Sequence, residues 1–254
     1  MIESLLSCLD SFTIINKSYQ TIPESISLFV HAENFRAYTV SLDKALYAKD
    51  PVSSDIGKEI LREAVKILAR EGLEAFTFKK LATAMSSTET TIYRYFNNKH
   101  QLVMYLSSWY WTQMEWKIVF ATANIPDPKE QLLRVVEVLS EKAHHDPRSS
   151  IVNEELVQKI VTRDAFKVFE ISWESDAQKK GYYKAFQDLN DRIADIIHRC
   201  DKTYKFSRAL ATTLVETAQR QMCFRNDLPH LTDVGKSEKQ TQEFLNSLVY
   251  NITK

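Results

Sequence analysis

Between Phe76 and Lys99 the chain reads FTFKKLATAMSSTETTIYRYFNNK, and three of its lysines stand where lysine is electrostatically out of place. Thr77 can cap a helix running through Leu81, Ala82 and Met85, which puts Lys79 and Lys80 at that helix's second and third positions. Asn97 or Asn98 can cap another helix, with Lys99 in its first turn. A helix N-terminus favours anions by roughly 0.3–1 kcal/mol, so cations there are unfavourable unless an anion lies against them. A phosphate would satisfy both the lysines and the free N–H groups of those helix ends. From Ala75 to Leu106 four cations, Lys79, Lys80, Arg94 and Lys99, stand against one acid, Glu89. An ordinary solvated basic face is the alternative reading of the same charges.

The elements that must position these groups follow from the helix ends. Thr88 can cap a second helix that carries Ile92 and Phe96 inward at four-residue spacing. Only Ser86-Ser87 separates it from the first, so the two must cross sharply, as in a helix-turn-helix. Upstream, Ile56, Ile60, Ala64, Ile67 and Leu68 share one helical face, and Gly72 is expected to end that helix.

This segment resembles the tetracycline-repressor (TetR) family of one-component bacterial regulators. The likeness runs without a gap from Ile56 to Leu102, and its specific part is the string TxxxLA followed by TIYRYFxxK. The resemblance implies an all-α homodimer that binds double-stranded DNA through an N-terminal three-helix domain and is released from a palindromic operator by a small effector. It further implies DNA contacts from Thr77, Lys79, Lys80, Thr88, Glu89, Thr90, Thr91, Tyr93, Arg94, Tyr95 and Lys99. Among these, Lys79 and Lys99 are expected on phosphate, Thr77 and Tyr93 on the backbone, and the Glu89 end of the second helix at the base edges. Where the family has glycine and then an apolar residue in the turn, this chain has Ser86-Ser87. A left-handed non-glycine residue costs about 1–2 kcal/mol, so the turn is expected to be reshaped.

The chain has 254 residues, 44% of them hydrophobic, and only 4 glycines and 6 prolines. Apolar residues recur at three- and four-residue spacing almost throughout, which favours an all-α protein. The expected organisation is an N-terminal extension over 1–51, the helix-turn-helix domain over 52–98 and a helical effector-binding and dimerisation domain over 99–254. Tyr38 to Pro51, with Lys44 and Lys49, reads either as a basic arm beside DNA or as a loop packed on the first helix. Basic and acidic residues balance at 33 each, so the excess of positive charge is local. No apolar run approaches a membrane span, and no membrane partner is expected. The start lacks a basic n-region, and Cys8, Cys200 and Cys223 are odd in number and far apart, which suits a reducing cytoplasm.

A long helix from Lys99 to about Ala123 is expected, stopped by Pro126 and Pro128, with further helices near 129–144, 153–173, 176–200, 205–226 and 237–252. The long helix carries Leu102, Tyr105, Leu106, Trp109, Gln113, Trp116 and Phe120 on one stripe. Such a stripe is ordinarily core. The effector pocket that the resemblance implies makes Trp109, Gln113, Trp116 and Phe120 one candidate wall, with Phe169, Trp173, Tyr182, Tyr183 and Phe186 opposite, suited to an apolar or aromatic molecule. The dimer element is expected in the last two helices. One offers Leu210, Ala211, Leu214, Val215, Thr217, Ala218 and Gln221, the other Phe244, Leu245, Leu248, Val249 and Ile252. An enzyme has little support: no nucleophile elbow, phosphate loop or dinucleotide fingerprint occurs, and no cofactor is expected. Glu141, His144, His145 and Asp146 form the only histidine cluster, and a helix end before Pro147 accounts for them more simply than a metal. A protein of the same fold that has lost operator binding is the alternative, motivated by Ser86-Ser87 and Glu89.

Overall fold

The computed structural model describes residues 42–145, 150–169, 176–235 and 237–253. Helix α1 (Asp55–Ala75) starts where the Ser54 side chain accepts from the Gly57 N–H at 3.2 Å. Its apolar face buries Ile60, Leu61, Ala64, Val65 and Leu68. Gly72, at φ 84° and ψ 167°, breaks the helix, yet one more turn follows to Ala75, so the glycine makes a kink and not the expected end. The carbonyls of Leu68 and Ala69, just before the break, accept from the Arg163 guanidinium at 2.6 and 3.3 Å.

Helices α2 (Phe78–Ala84) and α3 (Glu89–Tyr93) follow, capped by Thr77 and Thr88 as their sequence predicts. Helix α4 (Lys99–Thr122) is capped by Asn98, whose Oδ1 accepts from the Gln101 N–H at 2.8 Å. Helices α5 (Pro128–Ser140), α6 (Glu154–Phe169), α7 (Asp176–Cys200), α8 (Ser207–Asp227) and α9 (Glu238–Thr253) complete the described part. Every expected helix is present. Helix α5 stops four residues short of expectation because Glu141 is extended and Ala143 N–H donates to Gln158 Oε1 at 2.9 Å.

Helix α4 is the axis of the larger half. It packs on α5, α6 and α7, while α8 lies on α5, α6 and α7, α9 lies on α5 and α8, and α1 lies on α6. Leu102, Met104, Leu106, Tyr110, Trp111 and Ile118, on all sides of α4, are buried, so no single stripe of it defines the core.

Residues 42–54 form a strap with two short 3₁₀ turns, Lys44–Leu46 and Pro51–Ser53, capped by Asp43 and Asp50. Leu46 is 0% exposed. Tyr47 stacks edgewise on Tyr105, and the Lys49 ammonium lies over the Tyr95 ring, 5.1 Å from its centroid. This segment is therefore the packed loop and not an arm held out for DNA. Of the expected dimer faces, Leu214, Val215, Ala218, Leu245 and Val249 are buried within the chain itself. Leu248 and Tyr250 remain exposed on α9.

Candidate nucleic-acid interface

The crossing of α2 and α3 is set by hydrogen bonds. Ser87 N–H donates to the Ala82 carbonyl at 2.9 Å and Ser86 N–H to the Thr83 carbonyl at 3.1 Å, the paired closure of a Schellman turn. Ser86 takes φ 50°, the left-handed conformation for which glycine is the usual residue. The turn thus keeps the glycine geometry with serine in it and is not reshaped. Ile92 and Phe96 are fully buried beneath α3, which fixes its outward face.

That face carries Glu89, Thr90 and Arg94, all exposed, with Lys79 exposed on α2. Tyr93 is half exposed and rests its ring edgewise on Phe78, centroids 5.1 Å apart. The hydroxyls of Thr77 and Thr88 accept from Lys80 N–H and Thr91 N–H, and the Thr88 and Thr91 oxygens are 3.1 Å apart.

Tyr95 departs from expectation. It is 4% exposed, its hydroxyl shares a 2.8 Å hydrogen bond with Ser54 Oγ, and it faces the strap and not the solvent. Two lysines depart as well. Lys99 Nζ donates to the carbonyls of Leu73 and Glu74 at 2.9 and 3.3 Å. Lys80 Nζ donates to the Ala75 carbonyl at 2.8 Å and to Glu71 at 2.7 Å. Both cations begin a helix of their own but stand at the C-terminal end of α1, where the dipole favours them. The phosphate argued from three misplaced lysines is needed for Lys79 alone, whose ammonium makes no bond among the described residues.

A paired substitution separates the two roles. Lys99→Met should lower the melting temperature, because charge-assisted bonds to carbonyls contribute about 1.5–3 kcal/mol, and leave the salt dependence of DNA binding nearly unchanged. Lys79→Met should do the reverse, reducing the slope of log K against log salt by about 0.9 with unaltered melting. Equal salt slopes for wild type and Lys79→Met would remove Lys79 from the interface.

In the larger half, Trp109 and Gln113 are half-buried, Trp116 is buried and Phe120 is exposed, and the rings of Trp116 and Phe120 lie 6.3 Å apart. Tyr182 is buried, while Tyr183 and Phe186 are half-buried, Phe186 against Trp111. The Phe169 side chain and Trp173 lie outside the described residues, as does Asp146. A surface cleft of about 600 Å³ is lined by Lys179, Lys180, Tyr183, Lys184, Gln187 and Asp188, so Tyr183 is the residue shared with the expected wall.

Sequence reasoning missed a buried polar junction of α4, α6 and α8. Tyr110 Oη donates to Gln219 Oε1 at 3.3 Å, and Gln158 Nε2 donates to Tyr110 Oη at 3.3 Å and to the Glu141 carbonyl at 3.2 Å. The Nε2 of Gln219 has no partner among the described residues. Burial pushes the Tyr110 phenol up to about 12, the bonds to Gln158 and Gln219 acting the other way, so the junction is neutral. Its signal in the sequence was glutamine on apolar helix faces, beside Val157 and Ala218. Among the described residues no three His, Cys, Asp or Glu side chains group to hold a metal, and no helix is long and apolar enough to cross a membrane.

A helix-turn-helix with an exposed polar and cationic face, packed against a larger set of helices through one continuous core, defines a DNA-binding transcriptional regulator. Residues 60–106 match the family model for bacterial regulatory proteins of the tetR family, so the chain carries the DNA-binding segment of that family. A comparison with curated proteins gives no match. Among solved structures, a regulatory protein of the tetR family from Rhodococcus RHA1 superposes with a TM-score of 0.59 at 12% identity, over 78% of this chain and 97% of the other. AibR in complex with isovaleryl coenzyme A and operator DNA gives 0.55 at 13%, over 75% and 97%. A protein described as a transcriptional regulator from Saccharomonospora viridis, in complex with choline, gives 0.56 at 17%, over 76% and 94%. At such identities the likeness carries the fold.

Proposed function

We propose that this protein is a repressor that binds a palindromic operator as a homodimer and is released by a small effector. The observation that carries it is the outward face of α2 and α3, where Lys79, Glu89, Thr90 and Arg94 are exposed while Ile92 and Phe96 anchor the opposite side. Operator DNA and isovaleryl coenzyme A accompany the similar AibR structure, and choline the Saccharomonospora viridis one, which supports the same two kinds of partner here. The effector is mainly apolar or aromatic, met by Trp109, Gln113, Trp116 and Phe120 of α4 and by Tyr183 of α7. No enzymatic step is assigned.

A mobility-shift assay with the DNA immediately upstream of the protein's own gene tests the reading. Retardation with two chains per duplex is expected, in two successive major grooves about 34–36 Å apart. Failure to retard that DNA and any sequence from a randomised pool would leave a regulator fold without operator binding.

A further inference from the structure

The strap of residues 42–54 lies ahead of the segment that matches the family, and two of the chain's four glycines seat it. On α1, a Cβ at Gly57 would collide with the Pro51 carbonyl oxygen. On α7, a Cβ at Gly181 would lie 2.9 Å from Asp43 Cγ. Neither approach is open to a larger residue without movement. Between these seats Leu46 is wholly buried. The other end of the strap holds the residues that immediately follow α3. Ala48 N–H donates to the Tyr95 carbonyl at 2.8 Å, and Ser54 Oγ meets Tyr95 Oη at 2.8 Å. Gln101 ties the same place from α4, with Nε2 on the Ala45 carbonyl at 3.3 Å and Oε1 accepting from Asn97 N–H at 2.7 Å.

We infer that the strap is a mechanical link from the first turns of α7 to the recognition helix α3. The strap has a buried anchor, a proline, a backbone seat at Gly57 and, at Gly181, a seat made by the Asp43 side chain, which is itself held as the cap of the first turn by Ala45 N–H, so it has little freedom to absorb a displacement locally and a shift of α7 at Gly181 is delivered to Tyr95–Asn97. The open cleft between Lys179 and Asp188 occupies the same turns of α7 as the Gly181 seat. The link deepens the proposed effector response and rests on it. Helix α4 offers a parallel route, since it also joins the two halves, and the test must separate them.

Amide hydrogen exchange of residues 89–97 in the full-length protein does so, with neither operator nor effector present. Gly181→Val, which obstructs the α7 seat, should accelerate exchange in that segment on the order of tenfold. Leu46→Ala, which frees the strap, should do the same, and the double variant should exchange no faster than Leu46→Ala alone. Melting curves establish that each variant folds, and Gly57→Ala, which obstructs the α1 seat, replaces Leu46→Ala if that variant does not. A Gly181→Val effect confined to residues 42–46 and α7 would overturn the link. So would an equal acceleration of residues 89–97 by Gly181→Val in the strap-released background, which would assign the transmission to α4. Because DNA binding is not the readout, failure here leaves the repressor reading untouched.

Discussion

Replacing Arg192 by leucine is expected to lower stability by about 3–5 kcal/mol. Its guanidinium reaches from α7 to α4, where Nε and Nη2 donate to Glu115 Oε1 at 3.0 and 2.8 Å. The Glu115 side chain is 4% exposed and that of Arg192 29%, so the two charges do not suffer equally when separated. Without Arg192, the carboxylate stays inside the helical core unpaired and cannot turn to water. Without Glu115, the guanidinium can still swing toward solvent, and Glu115→Leu should cost clearly less. With both residues leucine, most of the loss should be recovered, because the buried pair offsets its own desolvation only in part. Urea unfolding of the three variants at neutral pH measures this. Equal losses for the two single variants would show that Glu115 is hydrated in solution.

The ordering of these effects follows what was and was not legible in the chain. Helix ends were readable because capping is local: Thr77, Thr88 and Asn98 each act on an N–H within three residues. The helix-turn-helix was readable for the same reason. Lys80 and Lys99 were misread because dipole reasoning within one helix cannot see the C-terminus of another, and Lys99 reaches 26 residues back to Leu73. Tyr95 looked like a surface residue because what covers it, the strap, lies outside the recognisable segment. The aromatic stripe of α4 had little power to locate a pocket, since a helix that is buried on most of its sides offers no single preferred face. Glu115 with Arg192, and Tyr110 with Gln158 and Gln219, join positions far apart in the chain, and only packing brings them together.

Glu89 poses the sharpest question about what α3 reads. It is the first residue after the Thr88 cap, exposed, and its carboxylate accepts no hydrogen bond among the described residues. At a helix N-terminus an acid is favourable by a few tenths of a kcal/mol, which would explain it without DNA. On a face meant for phosphates, however, an acid repels its target unless it accepts a specific bond. The major-groove donor that carboxylates take is cytosine N4. The fixed crossing through Ser86 and the buried anchors Ile92 and Phe96 hold this end of α3 outward, beside Thr90. A cytosine preference in each half-site is therefore expected to depend on Glu89. In Glu89→Gln the amide can instead pair with adenine, and discrimination at that base should fall by about 1–3 kcal/mol or move toward adenine. Affinity for DNA in general should hold or rise, because a negative charge near phosphates is removed. Selection of bound sequences from a random pool with both proteins gives the answer: identical motifs would reduce Glu89 to a helix-end charge, and a change confined to one position of each half-site would identify the base it reads.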